Sequence, residues 1–383
     1  MSREPPLSLY VHLPWCVSKC PYCDFNSHAV KGAAPRERYL EAVETDLKAE
    51  ASRAGDRPLV SVYIGGGTPS LFEGSEIARL IDVVASEFTL QRDAEISMEA
   101  NPGTVERGRV RDYAIAGVNR LSLGAQSFDA ATLDRLGRIH GPDEIRVAFE
   151  EATSAGFDSI NLDIMFALPG QDLEMAVRDV EEATAIGPAH ISYYQLTLEP
   201  NTVFHSNPPA DLPDHETSFV MQSECHAVLA DHGYRQYEVS AFARAGHSCR
   251  HNLNYWTFGD YLAAGAGAHG KITGSKGQIL RYAKPRHPLA FIEQAEQGSI
   301  HAAERELAAA DICFEFMLNA LRLPRGFLVS DFTARTGLGI EAIEEPLEQA
   351  REKGMIEAFD GSGWRPTPLG MRFGNDLVAL FLA

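Results

Sequence analysis

The sequence is short of cysteine, short of positive charge and free of long apolar runs, and each shortage removes a class of protein. Six cysteines in 383 residues are too few and too unevenly spread for the disulfide scaffold of small secreted domains. Thirty-four Lys and Arg stand against 53 Asp and Glu, a formal net charge of −19, which repels nucleic acid and anionic membrane surfaces. The most apolar segments, Leu7 to Trp15 and Ile160 to Leu168, fall far short of the ~20 residues that span a bilayer. The opening MSREPPLS carries neither the basic nor the apolar region of a signal peptide. These shortages lead us to expect a soluble cytoplasmic protein with no transmembrane segment and no nucleic-acid partner.

Apolar residues make up 45% and charged residues 23%, the balance of a folded chain long enough for a large domain and a smaller one. Short β-branched runs alternate with helical patterns through the first half. The runs Leu7–Leu13, Val60–Ile64, Ala94–Ala100, Arg120–Leu123, Ser159–Met165 and His190–Leu196 read as strands. Between them Glu37–Arg53, Glu76–Glu87, Val105–Ala116, Asp143–Ser154 and Leu173–Ala185 read as helices; Ile77, Leu80, Ile81 and Val84 make one clear face. Six strand–helix units predict an α/β fold, a partial (β/α)6 TIM-like barrel over residues 1–200, with a doubly wound open sheet as the alternative.

After about Pro200 the alternation stops. Residues 201–303, rich in Gly, His and aromatics and containing HNLNYWTFGDYLAAGAGAHG, are expected to cover or extend the barrel. Residues 304–383 change pattern again. Helices are expected over Glu304–Leu321, Val329–Thr336 and Ile340–Lys353, strands over Met355–Phe359 and Gly363–Pro366, and a closing helix from Leu369: the layout of a winged-helix-like α+β domain. Such folds often bind DNA. Over residues 305–383, however, eight Arg and Lys face twelve Asp and Glu, a local charge of −4, which favours a structural or docking role.

The chemistry gathers where strands end. Cys16, Cys20 and Cys23 fall within eight residues directly after the first strand, and in a parallel α/β barrel the loops after strand C-termini form the functional face. Thiolates are the ligands of Fe–S clusters, and three of them leave one iron of a cubane open. Zinc is the competing metal, with His12 or His28 as a fourth ligand. The second strand ends at Gly65-Gly66-Gly67-Thr68-Pro69, where missing Cβ atoms let a ligand approach the main chain. The next four strands deliver Glu99 and Asn101, Gln126 with Arg138 beyond, Asp163, and Gln195 to Thr197. Cys225 and Cys313 read as packing residues. The segment Cys249 to Trp256 gathers imidazole, thiol and aromatic planes within eight residues.

Cys16-x3-Cys20-x2-Cys23 followed by Gly65–Pro69 resembles the radical SAM superfamily. YVHLPWC, CPYCDF, GGGTPS, EANPGT, GAQSF, LDIMFALPGQ and HNLNYW together resemble its oxygen-independent coproporphyrinogen III oxidase-like family, nearest the HemW-type heme chaperones, over nearly the whole chain. The resemblance implies a radical SAM barrel with a [4Fe–4S] cluster on Cys16, Cys20 and Cys23 and S-adenosyl-L-methionine (SAM) on its open iron. It implies that Tyr10, Gly66 and Glu99 contact that SAM, and that Tyr22, Gly67, Thr68, Gln126, Arg138 and Asp163 match positions that in the oxidases line the rest of the cavity around a second SAM. It also implies heme as cargo, a heme-acceptor protein such as a respiratory enzyme as partner, and a homodimer as the candidate assembly. For that heme His251, and after it Cys249, are the candidate axial ligands, the alternative being that His251 hydrogen-bonds within a buried structural loop while Tyr255 and Trp256 pack the barrel mouth. The oxidases carry a fourth cysteine two residues beyond the third, where this chain has Phe25. That departure favours the chaperone over oxidative decarboxylation of coproporphyrinogen III.

Overall fold

The structure, a computed structural model, describes residues 4–30, 32, 34–103, 109–300 and 303–382. Six parallel strands pair in chain order: β1 (Leu7–Leu13), β2 (Leu59–Gly66), β3 (Leu90–Ala100), β4 (Arg120–Gln126), β5 (Ser159–Phe166) and β6 (His190–Gln195). An order that never reverses is that of a barrel and excludes the doubly wound alternative, which needs a switch point. Helices Arg36–Ala54, Gly74–Glu87, Pro142–Ser154 and Leu173–Ile186 lie between successive strands. The last begins where the Asp172 side chain accepts from the Met175 N–H and ends at Gly187, whose φ of 79° is left-handed. Of the helix expected over Val105–Ala116, residues 104–108 lie outside the described residues, and the remainder forms Val110–Ile115.

Strand alternation sets the inside of the barrel. In β1, Leu7, Leu9, Val11 and Leu13 belong to the apolar core, while Ser8, Tyr10 and His12 take the other face. There Ser8 Oγ lies 2.7 Å from Ser61 Oγ, and Tyr10 stacks on Tyr63 with centroids 6.2 Å apart. The interior is polar, and this makes room for function.

Residues 201–303 flank the barrel at both edges. Asp260–Ala264 pairs parallel with β1 and continues antiparallel into His269–Thr273 and Ile279–Ala283; Ala241–Ala243 pairs antiparallel with β6. The helix Arg250–Trp256 plugs the barrel interior beside the starts of β1 and β2: Asn254 donates to Ser8 Oγ at 2.9 Å, and His251 Nδ1 lies 3.3 Å from Ser61 Oγ.

The C-terminal residues follow the expected order of elements with four changes. Ala303–Glu306 is a strand on Ile279–Ala283, so the first helix begins at Ala309 rather than Glu304. The segment Ile340–Lys353 divides into a 3-10 turn at Ile340–Ala342 and a helix over Glu344–Glu352, because Pro346 is tolerated only in a first turn. The closing helix becomes Pro368–Arg372 and Gly374–Ala379. Phe327–Leu328 adds a third strand to the hairpin. Phe316 anchors this core, edge-on to Phe258, Phe327 and Phe332. Cys225 and Cys313 are buried in the two cores, as packing residues. Among the described residues no helix is long and apolar enough to cross a membrane.

Candidate functional site

One cavity of about 520 Å³ opens at the C-terminal ends of the barrel strands. The cysteine loop forms its wall. Trp15–Cys16 pairs with His28–Ala29, and the Cys23 N–H donates to the Cys20 carbonyl at 3.1 Å, folding the loop so that Cys16, Cys20 and Cys23 all line the cavity. The glycine loop is stitched to the same end: Gly67 N–H donates to Leu13 O and Thr68 N–H to Trp15 O, both at 2.8 Å. A Cβ on Gly66, whose φ is 122°, would lie 2.7 Å from His12 Cε1; one on Gly67 would lie 2.5 Å from Trp15 O. Only glycine permits so close an approach of the two loops.

Among the described residues no three His, Cys, Asp or Glu side chains converge on a point that could hold a single metal ion. A cubane needs three thiolates on one wall, each taking a different iron, and the cysteine loop supplies three on this cavity. Burial pushes the Cys16 and Cys23 thiols up, a cost that coordination to iron offsets by removing the proton outright. The donor set therefore fits a cluster with three protein ligands.

Across the cavity, Glu99 accepts from the Gly66 N–H and from Tyr63 OH, both at 3.0 Å. Burial raises its pKa to about 7 against the pull of those two donors. Asp163, also raised by burial, accepts from Asn161 Nδ2 at 2.8 Å and Ser122 Oγ at 3.0 Å. Gln126, at φ 70°, accepts from Tyr194 OH at 2.8 Å. Arg138 donates to Gly124 O at 2.8 Å and to Asn101 Oδ1, and its Nη1 lies 3.8 Å from Cys20 Sγ.

Tyr22, Gly67, Thr68, Glu99, Gln126, Arg138 and Asp163 thus share one cavity with the cysteines. Gly66 touches that group through Glu99. Tyr10 does not line the cavity; its hydroxyl is 2.9 Å from His12 Nδ1. His251 is not brought to it either. Its ring packs between Tyr63 and Tyr255, at centroid distances of 4.9 and 5.5 Å, although Asn252 and Trp256 of the same helix line the cavity. Burial lowers the His251 pKa to about 4. Several lining groups escaped the sequence, Ser122, Ser192 and Arg322 among them. Ser122 and Ser192 follow from strand alternation once the inward parity is fixed. Arg322 comes from the C-terminal domain, holding Glu238 at 3.1 Å and lying 4.3 Å over the Trp256 ring, and no local pattern announces it.

The profile of the Radical SAM superfamily matches residues 10–183, and that of the HemN C-terminal domain matches residues 307–373. The chain is 48% identical over 384 residues to "Heme chaperone HemW" of Escherichia coli (strain K12), covering all of both chains. It is 44% identical to that of Haemophilus influenzae, covering 100% of this chain and 99% of the other, and 32% identical to that of Bacillus subtilis (strain 168), covering 98% and 99%. Among solved structures, coproporphyrinogen III oxidase (HemN) from Escherichia coli superposes with a TM-score of 0.84 at 24% identity, covering 99% of this chain and 91% of that one, a likeness of fold.

Proposed function

The chain belongs to the HemW heme chaperone family of the radical SAM superfamily, and from that premise we propose that it binds heme and transfers it to acceptor proteins. Cys16, Cys20 and Cys23 would hold a [4Fe–4S] cluster, and the Gly66 main chain and the Glu99 carboxylate would hold the SAM bound beside it. Tyr10 supports this wall from beneath through His12. Tyr22, Gly67, Thr68, Gln126, Arg138 and Asp163 orient the rest of the cofactor and exclude water. When bound, the cluster supplies one electron and one open coordination position.

His251 is the candidate heme ligand. Its lowered pKa keeps the imidazole neutral, the form that would ligate iron, and Ser61 Oγ lies 3.3 Å from its Nδ1. The acceptor class is a respiratory heme enzyme, the compartment the cytoplasm, and a homodimer the candidate assembly.

The observation that carries this reading is 48% identity along the entire chain, with all three cysteines on one cavity. The test is addition of hemin to the anaerobic protein. One Soret band per chain, with no decarboxylation of coproporphyrinogen III, is expected; turnover to protoporphyrinogen overturns the reading in favour of an oxidase.

A further inference from the structure

The loop that carries the three cysteines holds a long cationic side chain with an unusual set of partners. Lys19 is exposed, yet its Nζ donates to two main-chain carbonyls on the returning segment, Phe25 O at 3.0 Å and Ser27 O at 3.3 Å. Among the described residues it makes no ion pair with a carboxylate. An ordinary surface lysine remains solvated, because ordering its four-carbon stem costs entropy. Here that cost is met by closing a ring of backbone around the motif.

The two carbonyls lie on either side of Asn26, the residue that fastens the loop to the barrel. Asn26 Nδ2 donates to Ala266 O at 3.0 Å and to Arg286 O at 2.8 Å, and its own carbonyl lies 3.0 Å from His12 Nε2. Ser27, the second acceptor, places its hydroxyl 3.7 Å from Cys23 Sγ. The ammonium therefore ties the Cys16–Cys20 half of the motif to the Cys23 half and to the anchor beyond it.

We propose that Lys19 is a positioning residue for the cluster: it fixes the spacing of the three sulfurs through the two carbonyls and supplies an un-neutralised positive charge beside them. The inference rests on the cluster assignment above. Three thiolates on a cubane leave an excess of negative charge that grows on reduction, and a neighbouring cation favours the reduced form. Exposure screens that charge, so the larger effect falls on retention of iron.

The test compares anaerobically reconstituted full-length protein with Lys19→Met, which keeps the stem and removes the charge, and Lys19→Arg, which keeps the charge. The readouts are the midpoint potential of the cluster and the rate at which a chelator strips iron. Lys19→Met is expected to lose iron about tenfold faster and to titrate at a more negative potential, with Lys19→Arg restoring the potential. Wild-type potential and wild-type iron release in Lys19→Met overturn the proposal, as does a potential that falls equally in Lys19→Arg. A wild-type chain that takes up no cluster overturns the cluster assignment itself.

Discussion

The Glu99 carboxylate accepts the backbone N–H of Gly66 at 3.0 Å, so the acidic residue of the third strand and the glycine loop of the second are one unit. Burial holds the Glu99 pKa at about 7, above the usual carboxylate value. The sign follows from linkage. In the ligand-free protein the folded state binds the proton more tightly than the unfolded one, so Glu99 lowers stability as pH rises from the ordinary carboxylate range to about 7. Ligand binding runs the other way, because SAM offers donors that the anionic form accepts best. Between about pH 6 and pH 8 the ionised fraction of a carboxyl with a pKa of about 7 rises about tenfold, and SAM affinity, measured by titration, is expected to tighten accordingly. Glu99→Gln should bind more weakly and show a flat profile; a wild-type profile that is itself flat removes Glu99 from the SAM site.

Cys20→Ser tests the metal assignment. The mutant should lose most of its iron and the broad absorption near ~400 nm of Fe–S proteins while keeping the far-ultraviolet circular dichroism of the wild type. Normal iron and sulfide content in the mutant contradicts the assignment.

Glu95 was not legible as a functional position, yet it caps the HNLNYW helix. Its carboxylate accepts the Arg250 N–H at 3.0 Å and the His251 N–H at 3.2 Å, and the Cys249 thiol at 3.3 Å. Glu95→Ala leaves those donors unsatisfied and should cost on the order of 2–3 kcal/mol in urea unfolding. A change within ~0.5 kcal/mol, the scatter of an ordinary surface substitution, would show that the plug does not depend on its cap.

His251→Ala asks whether the plug helix carries the heme ligand. Loss of the imidazole should remove the axial-ligand signature from the hemin spectrum and weaken binding by at least about tenfold. Unchanged spectrum and affinity place the ligand elsewhere and leave His251 as a packing group between Tyr63 and Tyr255.

The parallel strands were legible because both of their faces are buried in this fold, against helices outside and a polar interior within, so runs such as LSLYVHL stand out. The cysteine and glycine loops were legible because they follow those strands directly. Tertiary choices were not. Ala303–Glu306 has helix-favouring residues, and edge pairing with Ile279–Ala283 decides its conformation. Pro346 could have shown that the helix starts near it. The distance of His251 from the cavity depends on which side of a seven-residue helix faces the strands, and periodicity over so short an element does not fix that.

The most direct measurement is iron and acid-labile sulfide per chain after anaerobic reconstitution, with the cluster spectrum recorded before and after SAM is added. The account predicts about four iron and four sulfide per chain and a spectrum that shifts with SAM. Zinc in place of iron, or a full cluster whose spectrum ignores SAM, would contradict it.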